Sequence, residues 1–132
     1  MEPSQDIASI VRRMQWEAKN RPAGALRAEP VFVALEQAGV RVASTRQYLA
    51  AAVKASYCAG GETAARVAIS VCEYASPEAA RDGLDFMKQR FASITPHAQR
   101  VVHGHTVLTI AQPSDATDLA IVERAVKTFN DL

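Results

Sequence analysis

The chain has 132 residues, enough for one core and too few for two comfortable ones. Hydrophobic residues make up 48% and charged residues 22%, which argues for a packed interior and against disorder. The formal net charge is +1, with no basic cluster, so the usual electrostatic footprint of nucleic-acid or anionic-membrane binding is missing.

No apolar run reaches the ~20 residues of a membrane-spanning helix. The polar segment 1–6 carries no secretory leader, which leaves two readings: a cytosolic home, or a leader removed ahead of Met1. Two segments lead the chain. Residues 4–20 read as a helix capped by Ser4, with Asp6 at its positive end and Ile7, Ile10, Val11, Met14 and Ala18 as its core-facing stripe. Trp16 falls about 180° away from Ile7. Arg21-Pro22-Ala23-Gly24 breaks this helix, and residues 29–38 form a second, with Val31, Leu35 and Ala38 on one face and Phe32 on its flank.

From residue 49 onward the patterns alternate between strand and helix. Residues 49–58 read as a strand, with Gly60-Gly61 as a hairpin turn. Residues 66–74 read as a strand that is apolar or small on both faces, hence central. Ser76, Pro77 and Glu78 start a helix with the stripe Ala80, Leu84, Met87 and Phe91, closed by Pro96. Two more strands, 100–103 and 106–110, flank Gly104, and Pro113-Ser114-Asp115 makes the next turn. A last helix covers about 116–130, with Leu119, Val122, Val126 and Phe129 inward and a Glu123–Lys127 pair outward. The predicted fold is therefore α+β: two ββα units joined edge to edge in a four-stranded antiparallel sheet, both their helices on one face, plus two N-terminal helices. Residues 1–132 form one domain, with 1–40 as a helical segment and 41–132 as the sheet-and-helix core.

Chemistry-bearing residues are few. His97, His103 and His105 are all the histidines, and imidazoles at i and i+2 of a strand share a side, as a metal or haem site would need. Hairpin chemistry around Gly104 explains the last two equally well. Cys58 and Cys72 fall on neighbouring strands. A tight turn at Gly60-Gly61 sets Cys58 opposite a residue near Val67, whereas a wider loop through Ala65 sets it opposite Cys72, and the spacing alone leaves both open. Glu73 ends the central strand, where a carboxylate serves as an acid or base or marks the exit to water. Trp16, Phe32, Tyr48 and Tyr57 are aromatics not claimed by a helix stripe and are the interface candidates. The sequence holds no G-x-S-x-G, no phosphate loop and no CxxC, so it supplies no catalytic residue and no cofactor fingerprint.

Tyr57-Cys58-Ala59-Gly60-Gly61, followed by Val71-Cys72-Glu73-Tyr74-Ala75-Ser76, resembles the soluble parts of small bacterial cell-envelope lipoproteins of unknown function, over roughly the last two thirds of the chain. That resemblance implies an exported domain, a Cys58–Cys72 bridge and a lipid anchor outside the present chain. The expected function is a non-enzymatic periplasmic interaction or scaffold domain, binding a protein partner or itself. The alternatives are a small-ligand, metal or haem binder using the histidines, and a cytosolic dimeric α+β regulator or small enzyme.

Overall fold

A computed structural model describes residues 7–94, 97–113 and 119–132. The chain runs α1 (Ile7–Lys19), α2 (Ala28–Gln37), β1 (Ala43–Tyr48), a 3-10 turn (Ala50–Val53), β2 (Tyr57–Glu62), β3 (Ala68–Glu73), α3 (Pro77–Arg90), β4 (Gln99–His103), β5 (Thr106–Ala111) and α4 (Leu119–Asn130). The sheet is antiparallel throughout, in the order β1-β2-β3-β5-β4. The α+β class and the strand–strand–helix order repeated after residue 57 match the sequence reading. Ser4, Asp6, Pro96 and most of the turn at 113–115 lie outside the described residues.

Two details differ. The sheet has five strands, not four, because residues 43–48 form β1 and residues 50–53 form a 3-10 turn instead of a strand. β1 is an edge strand with five of its six residues exposed, so it needs no apolar alternation and shows none. The helices of the two ββα units also lie on opposite faces of the sheet. α4 packs beside α2 against Ile69, Val71, Leu108 and Ile110, whereas α3 packs against Cys58, Cys72 and Val107. The cause is the pleat. The central strands β3 and β5 send large side chains to one side and smaller ones to the other, so both faces need a cover.

The larger core lies on the two-helix face, where Val31, Leu35, Val122 and Phe129 meet the sheet. Ser76 caps α3 by accepting from the Ala79 amide at 3.0 Å, with Pro77 in the first turn, as its sequence pattern requires. Gly83 lets α3 settle against Tyr74, since a Cβ there would overlap the buried ring. The Tyr74 hydroxyl donates to the Val53 carbonyl at 3.0 Å, tying the 3-10 turn to this helix, and burial pushes its pKa up to about 12.

α1 departs most from expectation. Its one fully buried residue is Glu17, while Ile7 is 80% exposed and Val11 is also exposed. The helix is held by polar contacts instead of by its apolar stripe. Glu17 accepts from the Ala50 and Ala51 amides at 2.9 and 3.0 Å and from Arg13 Nε at 3.1 Å. Gln47 Nε2 donates to the Met14 carbonyl at 2.7 Å. In α4, Leu119 is exposed, and Lys127 pairs with Asp131 at 2.7 Å instead of with Glu123.

Candidate functional site

The two faces of the sheet are covered unequally. On the two-helix face the central strands carry buried Ile69, Val71, Leu108 and Ile110. On the α3 face the corresponding positions are Ala68, Ser70 and Cys72 on β3 and Val107, Thr109 and Ala111 on β5. α3 covers the Cys72 and Val107 end. Beyond it, Ala68, Ser70, Thr109 and Ala111 stay partly exposed although they sit on interior strands, the central β3 and its neighbour β5. Small side chains on a sheet floor beside a helix that stops short leave a recess.

That recess has a volume of about 250 Å³. Ser70, Thr109 and Ala111 give it a floor, Leu49, Val53 and Tyr48 one wall, and Met87, Phe91 and Arg100 the other. The Cys58–Cys72 pair closes its inner end. Gly60 lets the Tyr48 ring lie close over β2. A Cβ there would stand 2.8 Å from the tyrosine ring and 2.5 Å from the Ile69 carbonyl, so any larger residue displaces the ring. The wall at Leu49 and Val53 belongs to the 3-10 turn, whose first amides have no side-chain cap of their own and are capped by Glu17 from α1. Replacing Glu17 with Ala strips one buried and one partly buried amide of their acceptor. We expect a loss of about 1–3 kcal/mol in urea unfolding, and a change below ~0.5 kcal/mol, within the range of ordinary surface substitutions, would contradict this capping role.

Among the described residues, Arg100 is the only charged one lining the recess. It stands on β4 directly across from Thr109, and its guanidinium lies 5.8 Å from the centre of the Phe91 ring. Burial holds its pKa below the usual arginine range.

The opposite face carries a cluster of another kind. Glu73 is fully buried and accepts from Arg21 Nε at 3.1 Å, from Arg21 Nη2 and from the Ala28 amide at 2.8 Å. Arg21 also grips Glu29 through both terminal nitrogens, at 2.8 and 2.7 Å, and stacks 3.9 Å above the Tyr57 ring. The paired carboxylates, Glu29 foremost and then Glu73, raise the arginine pKa further, and the Arg21 hydrogen bond draws Glu29 down to about 2. Burial raises the Tyr57 pKa. Ala28 opens α2. Glu73 therefore neither exits to water nor faces an open cleft. It neutralises Arg21 and caps α2.

The other predicted residues scatter. The two sulfurs of Cys58 and Cys72 lie at disulfide distance, on directly opposed positions of β2 and β3. The turn between these strands runs through residues 63–67, and Gly60 and Gly61 belong to β2, so the wider loop is the one formed. His97 is exposed, His103 stacks edge-on against Phe129 at 5.8 Å, and His105 lies in the β4–β5 turn. Among the described residues no three His, Cys, Asp or Glu side chains converge as metal ligands, so the imidazoles are not brought together. Trp16 is 52% exposed, with the Arg13 guanidinium 4.5 Å above its ring. Phe32 packs on the larger core, Tyr57 lies under Arg21, and Tyr48 walls the recess. Sequence reasoning missed Ser70, Thr109 and Arg100. The available signal was the run of small residues at alternate positions of two strands, which marks a concave floor only once their adjacency is known. No described helix is long and apolar enough to cross a membrane. Comparison with known proteins returns no matching family model, no similar curated protein and no similar solved structure.

Proposed function

We propose that this chain is a non-enzymatic binding domain of the cell envelope whose site is the recess on the α3 face of the sheet. One observation carries the reading: the interior strands β3 and β5 present small, partly exposed side chains to an apolar hollow walled by Tyr48, Leu49, Val53, Met87 and Phe91. Ligand sites are concave, mostly apolar and supplied with a few polar groups that fix orientation, and this hollow has that make-up. Among the described residues, those lining the hollow offer no paired acid and base or activated nucleophile, which favours binding over catalysis. The cysteine pair at bonding distance supports an oxidising compartment, and the resemblance to envelope lipoproteins points the same way.

The test is a titration of isotopically labelled protein with small apolar probes, followed by NMR. Shifts confined to the amides of residues 48–53, 68–70, 87–91 and 109–111 are expected. Ser70→Phe, which fills the floor, should abolish them while the circular dichroism spectrum stays folded, and Thr109→Phe is the second variant if the first destabilises. Probe shifts that survive both substitutions would refute the reading.

A second reading, self-association, is favoured by α1, which leaves Ile7, Val11 and Trp16 exposed on a helix held by hydrogen bonds. Sedimentation velocity over a wide concentration range should then show a dimer that Val11→Glu dissolves. A monomer at every concentration removes this reading.

A further inference from the structure

The floor of the recess also selects among ligands, an inference that rests on the binding reading above. Ser70 on β3 and Thr109 on β5 are directly opposed in register and so stand on one face of the sheet. Opposed positions of an antiparallel pair bring their Cβ atoms to roughly 5 Å, so one ligand atom reaches both hydroxyls. On β2 the same rung holds Gly60, and the Tyr48 ring lies where its side chain would. Neighbouring hydroxyls serve the fold: Thr106 donates to the Leu26 carbonyl at 2.6 Å, and Ser76 caps α3. Ser70 and Thr109 instead line the hollow, half-buried. Above them the walls are apolar: Leu49, Val53, Met87 and Phe91.

This arrangement penalises a pure hydrocarbon. Filling the hollow with one takes two hydroxyls out of water and returns no partner to either. A ligand that sets a hydroxyl or carbonyl oxygen between them restores the bonds, since each side chain both donates and accepts. An ionised head fares worse, because two neutral hydroxyls return less than the hydration it gives up. Arg100 has an interaction of its own and is not assigned to the ligand. Size narrows the class. At about 250 Å³ the recess falls a little below the ~300–1,000 Å³ range of pockets that hold drug-sized molecules. We infer that the recess binds a small neutral molecule with an apolar body and a single hydroxyl or carbonyl head, the head on Ser70 and Thr109 and the body against Val53, Met87 and Phe91.

The experiment uses benzyl alcohol, its hydrocarbon match ethylbenzene and the anion benzoate. Each is titrated into labelled protein at pH 7 and followed by NMR. The decisive readout is how each probe responds to the loss of a hydroxyl, because ethylbenzene leaves water more readily whatever the site offers. Ser70→Ala and Thr109→Val should each weaken benzyl alcohol by roughly three- to tenfold, the worth of one hydrogen bond. The same variants should leave ethylbenzene unchanged or bind it more tightly. If one variant does not fold, the other decides. Benzyl alcohol and ethylbenzene responding alike to the substitutions overturns the hydroxyl assignment and leaves the site standing. Benzoate binding the recess more tightly than benzyl alcohol overturns the neutral head. Shifts outside the recess, or none from any probe, overturn the site itself.

Discussion

Substituting Glu73 with leucine is expected to cost about 3–5 kcal/mol of stability, read as a lower urea midpoint at unchanged slope. The magnitude follows from what is left behind. The carboxylate is fully buried, and the Arg21 side chain that holds it is only 12% exposed. Without Glu73 the guanidinium keeps Glu29 but loses the partner beneath it, and the Ala28 amide at the start of α2 loses its acceptor. A buried charge deprived of its partner is costly, whereas removing both charges is often tolerated. The double variant Arg21→Met with Glu73→Leu should therefore recover a large part of the loss. Glu29→Gln gives the contrast. Its carboxylate pairs with the same arginine but is 62% exposed, so solvent screening holds its contribution to about 1 kcal/mol or less. Because Glu29 is drawn down to about 2 from 4.5, that contribution is present above pH 4.5 and fades as the pH falls toward 2. A loss for Glu73→Leu no larger than that for Glu29→Gln would refute the assignment of Glu73 as the anchor.

The two buried glutamates share a task that no local pattern reveals. Glu17 caps the 3-10 turn from 33 residues away, and Glu73 caps α2 from 45 residues away. Capping is legible in a sequence when cap and helix are adjacent, as with Ser76 and α3. It is illegible when the acceptor arrives through tertiary structure. The same limit explains α1. Its periodicity correctly predicted a helix, but periodicity cannot say whether an apolar stripe finds a partner, and here a single carboxylate sets the docking face. Strands with strong alternation, β3 and β5, and the hairpin at Gly104 were legible because their burial is local in pattern. The polar edge strand β1 was not. The recess falls between these cases: the small faces of strand 66–74 are legible, but concavity depends on the adjacency of β5 and on where α3 ends.

Removing the Cys58–Cys72 bridge is the second large effect expected. The cysteines are 14 residues apart and close a loop whose loss should cost ~3 kcal/mol in the chain-entropy model. For a chain of this size that corresponds to a drop of roughly 10 °C in melting temperature, seen on adding reductant or in the Cys58→Ala/Cys72→Ala variant. The fold should survive, because both side chains are nearly fully buried beside Tyr74, Ala80, Met87 and Val107 and remain good core residues when reduced or replaced by alanine. The opposed register of β2 and β3 also persists through its ladder on both flanks. The consequence for binding is more specific. The pair forms the inner end of the recess, so the reduced protein should bind apolar probes with altered affinity even well below its melting temperature. Scanning calorimetry with and without reductant, together with mass-spectrometric mapping of alkylated thiols in unreduced protein, checks the bridge. Identical melting curves and two readily alkylated thiols after denaturation would mean that the cysteines act as ordinary core residues, and would remove the main support for an oxidising compartment.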